Sequence, residues 1–162
     1  MRRLAPLLLL AGLAGCGLQP LYSGGADGAV AQALAGVEVA PIPGKNGWLV
    51  RNALRDRIAA VPDGSASRYR LEVELDDKIE GFGIRRDDAI TRERRTLRAR
   101  YRLVEAGNNT VVVDATAGSD AGIDVVRSEY ATIAAENTAI ERLAQDVADQ
   151  IVARIALYAR QP

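Results

Sequence analysis

Arg68-Tyr69-Arg70-Leu71-Glu72-Val73-Glu74-Leu75-Asp76-Asp77-Lys78 alternates apolar and charged side chains through Asp76. That period of two belongs to a strand with one dry face and one wet face. Tyr69, Leu71, Val73 and Leu75 turn inward, while Arg70, Glu72, Glu74 and Asp76 turn outward. A second long strand, from about Thr91 to Glu105, repeats the pattern with Leu97, Ala99, Tyr101 and Leu103 inside. Arg94, Arg98, Arg100 and Arg102 lie outside. Gly107-Asn108-Asn109 then supplies residues that tolerate positive φ, which predicts a tight turn into a third strand over Thr110 to Ala117.

The flanks read as helices. After a short strand at Val37-Glu38-Val39-Ala40, closed by Pro41-Ile42-Pro43-Gly44, the period lengthens. Leu49, Val50, Ala53, Leu54, Ile58 and Val61, with Arg57 beside them, recur at helical spacing. Arg51, Arg55 and Asp56 point away. Asn46 is the expected cap and Pro62-Asp63-Gly64 the expected stop. From about Ser128 to Arg160, Ile133, Ile140, Leu143, Ala144, Val147, Ile151, Ile155 and Tyr158 form one continuous stripe. Trp48 and Tyr158 are expected in the core or at its edge. The order strand, helix, three strands, helix predicts an α+β two-layer sandwich, a small mixed four-stranded sheet with two helices on one face.

The N-terminus carries an address. Arg2 and Arg3 precede the apolar run of Leu7 to Leu10, Ala11 and Leu13, and Leu13-Ala14-Gly15-Cys16 has the form of a lipobox. The apolar run is far shorter than the ~20 residues of a spanning helix. The expected organisation is a cleaved signal peptide at 1–15, a lipidated N-terminus and flexible tether at 16–35, and a single domain at 36–162. Cys16 then carries a thioether-linked diacylglycerol and an N-acyl chain such as palmitate. Several chains hold a protein stably at a membrane where one does not. Gly17 in place of an aspartate favours delivery to the outer membrane.

Composition narrows the chemistry. The 162 residues hold 21 basic and 21 acidic side chains, no histidine and one cysteine. Loss of residues 1–15 removes Arg2 and Arg3, leaving 19 basic against 21 acidic. Such a balance gives no basic field for nucleic acid. Without histidine, and with the thiol used for lipid, the commonest general base and the commonest metal ligands are missing. No metal site, no catalytic residue and no cofactor beyond the lipid is expected. Aromatics make up only 4 % of the chain, so the core is aliphatic, and no cysteine pair supports it.

Two features of the charged face bear on binding. Arg92, Arg94, Arg98, Arg100 and Arg102 share one parity, and Glu72, Glu74 and Asp76 are placed to oppose them, leaving an expected excess of arginine. Paired, they form a solvated charge zipper whose members contribute ~0.2 to 1 kcal/mol each. Unpaired, guanidinium groups capture phosphates with two parallel hydrogen bonds. Between the strands, Gly81-Phe82-Gly83-Ile84 and Arg85-Arg86 set apolar residues beside cations, which suits an amphiphile with phosphates next to acyl chains. Gly81-x-Gly83 is not a dinucleotide fingerprint, because it opens no helix and lacks the third glycine. Asp63, Asp76-Asp77 and Asp87-Asp88 match no calcium loop.

Cys16 followed by Gly17-Leu18-Gln19-Pro20-Leu21-Tyr22 resembles the cysteine-glycine-aromatic-x-proline-leucine-tyrosine opening of the LptE family, in its alphaproteobacterial branch. Leu18 stands where that family carries an aromatic. Tyr130-Ala131 and Ala134-Ala135-Glu136 look like the family's entry to its last helix. The resemblance implies a non-enzymatic plug seated in the outer-membrane β-barrel LptD, aiding barrel assembly and delivery of lipopolysaccharide to the outer leaflet. It also implies lipopolysaccharide binding through basic residues. On chemistry, the candidates are Arg85, Arg86, Arg92 and Arg94. Two other readings are an auxiliary lipoprotein of a periplasmic phospholipid transport complex and an envelope enzyme working through Asp87 and Asp88.

Overall fold

The computed structural model describes residues 31, 34–58, 67–84 and 90–159. Six elements follow in chain order: β1 (Val37–Val39), α1 (Gly44–Arg57), β2 (Tyr69–Ile84), β3 (Ile90–Glu105), β4 (Val111–Asp124) and α2 (Glu129–Ala159). The sheet order is β1-β2-β3-β4, so each strand lies beside its neighbour in sequence. β1 joins β2 in parallel, with Val37 beside Tyr69, and α1 makes the crossover that a parallel pair requires. β2, β3 and β4 are an antiparallel meander. The chain is thus an open, mixed α+β sheet with two helices.

The inward parity of the long strands builds the core. Leu71, Leu97, Leu103 and Tyr101 pack with Leu54 and Val50 of α1 and with Ile140, Leu143, Val147, Ile151 and Ile155 of α2. Most of these aliphatic side chains are fully buried, each worth roughly 1.5–3 kcal/mol of transfer free energy. Leu34, just ahead of β1, is buried in the same cluster. α2 has 31 residues and is about 46 Å long, enough to run along the whole meander. Asn109 adopts φ 55° in the β3–β4 turn, where Asn108 Oδ1 accepts the Thr110 N–H at 2.9 Å.

Several expectations need correction. Trp48 is not in the core: it is 62 % exposed, because Gly47, Val50, Ala53 and Leu54 supply the buried side of α1 and leave Trp48 on its outer side. Ile133 is likewise exposed. The start of α1 is Gly44, with extended Pro43 ahead of it and no side-chain cap. Asn46 lies inside the first turn and donates to Asp77 Oδ2 at 2.6 Å. α1 ends at Arg57 with Ile58 extended, while Val61 and Pro62-Asp63-Gly64 fall outside the described residues. β4 runs to Asp124, seven residues past the expected end at Ala117.

Candidate anion-binding face

Among the described residues no helix covers the outward face of β2, β3 and β4, which carries the charges. Register sets Glu72 opposite Arg102, Glu74 opposite Arg100 and Asp76 opposite Arg98, as the shared parity predicts. Three of the four ion pairs made by the outward arginines of β3, however, reach the other way, to β4. Arg92 pairs with Asp124 at 3.0 Å, Arg98 with Asp120 at 3.2 Å and Arg100 with Asp114 at 3.1 Å. Arg102 meets Glu72 at 3.1 Å, and Arg70 donates to the same carboxylate at 3.0 Å. Glu72, Glu74, Arg100 and Arg102 line a small hollow of about 50 Å³.

The expected excess of arginine is therefore corrected. Arg70, Lys78, Arg92, Arg94, Arg98, Arg100 and Arg102 share this face with Glu72, Glu74, Asp76, Glu80, Asp114, Asp120 and Asp124, seven against seven by parity and register. The pairing is felt in the proton affinities. The Arg100 hydrogen bond holds Asp114 below the usual carboxylate range. The Thr96 hydroxyl, then Arg98, does the same for Asp120. These pairs are well exposed, and exposed pairs contribute about 0–1 kcal/mol each. The middle of the row is a neutral zipper.

Its end is different. Arg94 stacks over the Phe82 ring at 5.3 Å from the centroid, and among the described residues no carboxylate lies within ion-pair distance of it. Cation–π attraction fixes the plane of the guanidinium at roughly 0.5–1 kcal/mol while leaving its N–H edge open. Phe82, 40 % exposed, sits two residues ahead of the last described residue of β2. Ile79 is exposed on the same strand. Val126 and Tyr130 are exposed where the chain leaves β4, at the end marked by the Val125 N–H bond to Thr91 O. An open guanidinium lying on an exposed aromatic ring is an arrangement able to take a phosphate at the edge of an apolar body. Arg92 is already engaged with Asp124. Arg85, Arg86, Asp87 and Asp88 lie outside the described residues, as does Cys16 with residues 17–22.

The inward face holds a polar cluster that the sequence reading missed. Arg95, 8 % exposed, points into the sandwich and donates through Nε to Asp77 Oδ1 at 2.9 Å and through Nη1 to the Glu136 carbonyl of α2 at 3.1 Å. Asp77 also accepts from Asn46 of α1, so one ion pair ties two strands to both helices. The hydrogen bond from Arg95 to Asp77 raises the Arg95 pKa further. The signal was available, since Asp77 and Arg95 are charges at inward parity. Among the described residues there is no cluster of three or more potential metal ligands, and no helix is long and apolar enough to cross a membrane.

The family model for LptE, lipopolysaccharide-assembly, matches residues 34–155. Solved structures share the fold. A lipoprotein from Caulobacter crescentus is 24 % identical with TM-score 0.67, over 82 % of this chain and 97 % of that one. Rare lipoprotein B from Shewanella oneidensis is 12 % identical with TM-score 0.57, over 75 % and 92 %. A minor lipoprotein from Acinetobacter baumannii is 15 % identical with TM-score 0.57, over 78 % and 96 %. Among curated proteins no sequence relative is found.

Proposed function

The chain belongs to the LptE lipopolysaccharide-assembly family, and on that premise we propose that it is a lipid-anchored subunit of the outer-membrane lipopolysaccharide translocon, acting with an LptD-type β-barrel. The family is non-enzymatic. In this reading Cys16 carries the lipid, the domain plugs and helps assemble the barrel, and lipopolysaccharide is passed toward the outer leaflet. The match over residues 34–155 carries the reading and favours it over a phospholipid transport complex. Lowering the level of the chain in its own cell should reduce both folded barrel and surface lipopolysaccharide. Normal amounts of both would refute it.

Contact with lipopolysaccharide falls to the hairpin end in this reading. The open Arg94 on Phe82 supports it, with Arg85, Arg86 and Arg92 as the further candidates. Arg92 takes part by leaving Asp124, an exchange of one exposed anion for another. Charge reversal of Arg85 and Arg86, or of Arg94, should weaken lipopolysaccharide binding, with a loss that shrinks as salt rises. Arg100→Glu, in the neutral middle of the row, is the control. If the hairpin-end variants bind as the parent does, the arginines serve the sheet alone.

A further inference from the structure

Among the described residues β4 is the long open edge of the sheet, and one part of it is already closed. The Gly118 N–H donates to Gln150 Oε1 at 3.1 Å and the Gly118 carbonyl accepts from Gln150 Nε2 at 3.0 Å. The Gln150 amide thus occupies both backbone positions that a neighbouring strand would use. Ser119 Oγ is held by Asp146 at 3.0 Å beside it. Backbone groups in an antiparallel strand point alternately toward and away from the partner. Since those of Gly118 point away from β3, those of Asp114 and Thr116 do too. Toward the start of the strand, α2 contributes no such amide. Instead a groove of about 290 Å³ opens between β4 and the last turns of α2, lined by Val112, Val113, Asp114, Ala115, Arg154, Leu157 and Tyr158, with the Asp114 carboxylate already engaged by Arg100. Leu157 is 50 % exposed above it. Arg154 is exposed, and among the described residues no carboxylate lies within ion-pair distance of it.

We propose that the β4 edge from Val111 to Thr116 receives an extended segment of a partner protein as a fifth strand. An aliphatic side chain of that segment fills the groove, and an acidic side chain two positions along meets Arg154. Unsatisfied strand edges are met by strand addition, where main-chain bonds give affinity and alternate side chains give specificity. The period of two sends residues two apart to the same face, toward Leu157 and Arg154 together. The Gln150 clamp ends the site, so the added strand is short. A second copy of this chain is disfavoured as occupant, because twofold edge pairing brings like charges together at Arg154. The inference does not depend on lipopolysaccharide binding.

The test uses the full chain and a defined probe: an acetylated, amidated octapeptide of alternating valine and threonine with glutamate at one valine position, and its twin with lysine there. Saturating glutamate peptide should slow amide exchange at Asp114 and Thr116 at least tenfold, leaving Asp120 and Gly122, beyond the clamp, unchanged. The lysine twin should bind at least fivefold more weakly, and Arg154→Glu should invert that preference. Thr116→Pro should abolish binding with the fold kept, because its N–H points away from β3. Unchanged exchange, equal slowing beyond the clamp, or equal affinity for the twins overturns the proposal. So does protection already present in the free protein: lost on dilution, it assigns the edge to a second copy, and lost on removal of residues 160–162, to the chain's own terminus.

Discussion

Asp77→Ala tests whether the inward ion pair holds the sandwich together or merely occupies it. Asp77 and Arg95 side chains are 19 % and 10 % exposed. The substitution leaves the guanidinium with the Glu136 carbonyl as its one remaining hydrogen-bond acceptor and the Glu136 charge as its remaining anion, and it strips Asn46 of its acceptor. Breaking a buried pair from one side costs ~3–5 kcal/mol. The residual exposure reduces this to about 2–4 kcal/mol, or about 8–15 °C in Tm for a domain of this size. Urea unfolding followed by circular dichroism reads it as a lower midpoint at constant slope. The paired replacement Asp77→Leu with Arg95→Met should recover most of the loss, since apolar substitutes for a buried pair are often neutral or better. A single-mutant loss below about 1 kcal/mol, or a double mutant no better than the sum of its singles, would refute the reasoning.

Gly47→Ala should destabilise although alanine is the better helix former by about 1 kcal/mol. A Cβ there would stand 2.6 Å from the Ile42 carbonyl oxygen, and backbone cannot step aside, so overpacking of about 1–3 kcal/mol wins and the urea midpoint falls. Arg100→Ala should leave the same midpoint almost unchanged, because its partner is exposed. Asp114, Asp120 and Asp149 are held below the ordinary carboxylate range, chiefly by hydrogen bonds from Arg100, Thr96 and Arg57. A depressed folded pKa stabilises above the unfolded value of about 3.9 and is lost as pH falls through the folded one. The urea midpoint should therefore be insensitive to these three groups between neutrality and about pH 5 and lose their contribution below about pH 4. Asp114→Asn with Asp120→Asn should flatten that acid limb.

The fold was legible where one face is wet. Strict alternation in β2 and β3 gave which residues face each side and the extent of β3, and the helical stripe gave α2 to within a residue or two. β2, however, runs six residues past the expected end at Lys78, through Gly81-Phe82-Gly83 to Ile84. β4 was cut short at Ala117, where Gly118-Ser119-Asp120 and Gly122 interrupt the apolar alternation. Small residues are needed there for another reason: a Cβ on Gly118 would lie 2.5 Å from Arg98 Cδ, so the glycine makes room for an arginine reaching across to Asp120. The charge row was misjudged by the same cut, since Asp120 and Asp124 lay in the discarded half. Asp77 with Arg95, and Gln150 with Gly118, join residues far apart in the chain, and no local period encodes such meetings. Trp48 was misplaced because hydrophobicity argued for burial while its position on the helix argued against it.

That α2 follows the whole meander in the chain has a consequence for synthesis and quality control. Every earlier element can be made and paired, the meander included, while the inner side of β3 and β4 still lacks α2. An intermediate ending at Asp124 would leave Leu97, Tyr101 and Leu103 with α1 alone to cover them, a partly exposed apolar surface on paired strands that is prone to aggregate. Completion of the sandwich waits on the 31 residues of α2, so a premature stop anywhere in that helix is expected to be as damaging as one much earlier. Until those residues arrive, the unfinished chain depends on whatever holds it in transit.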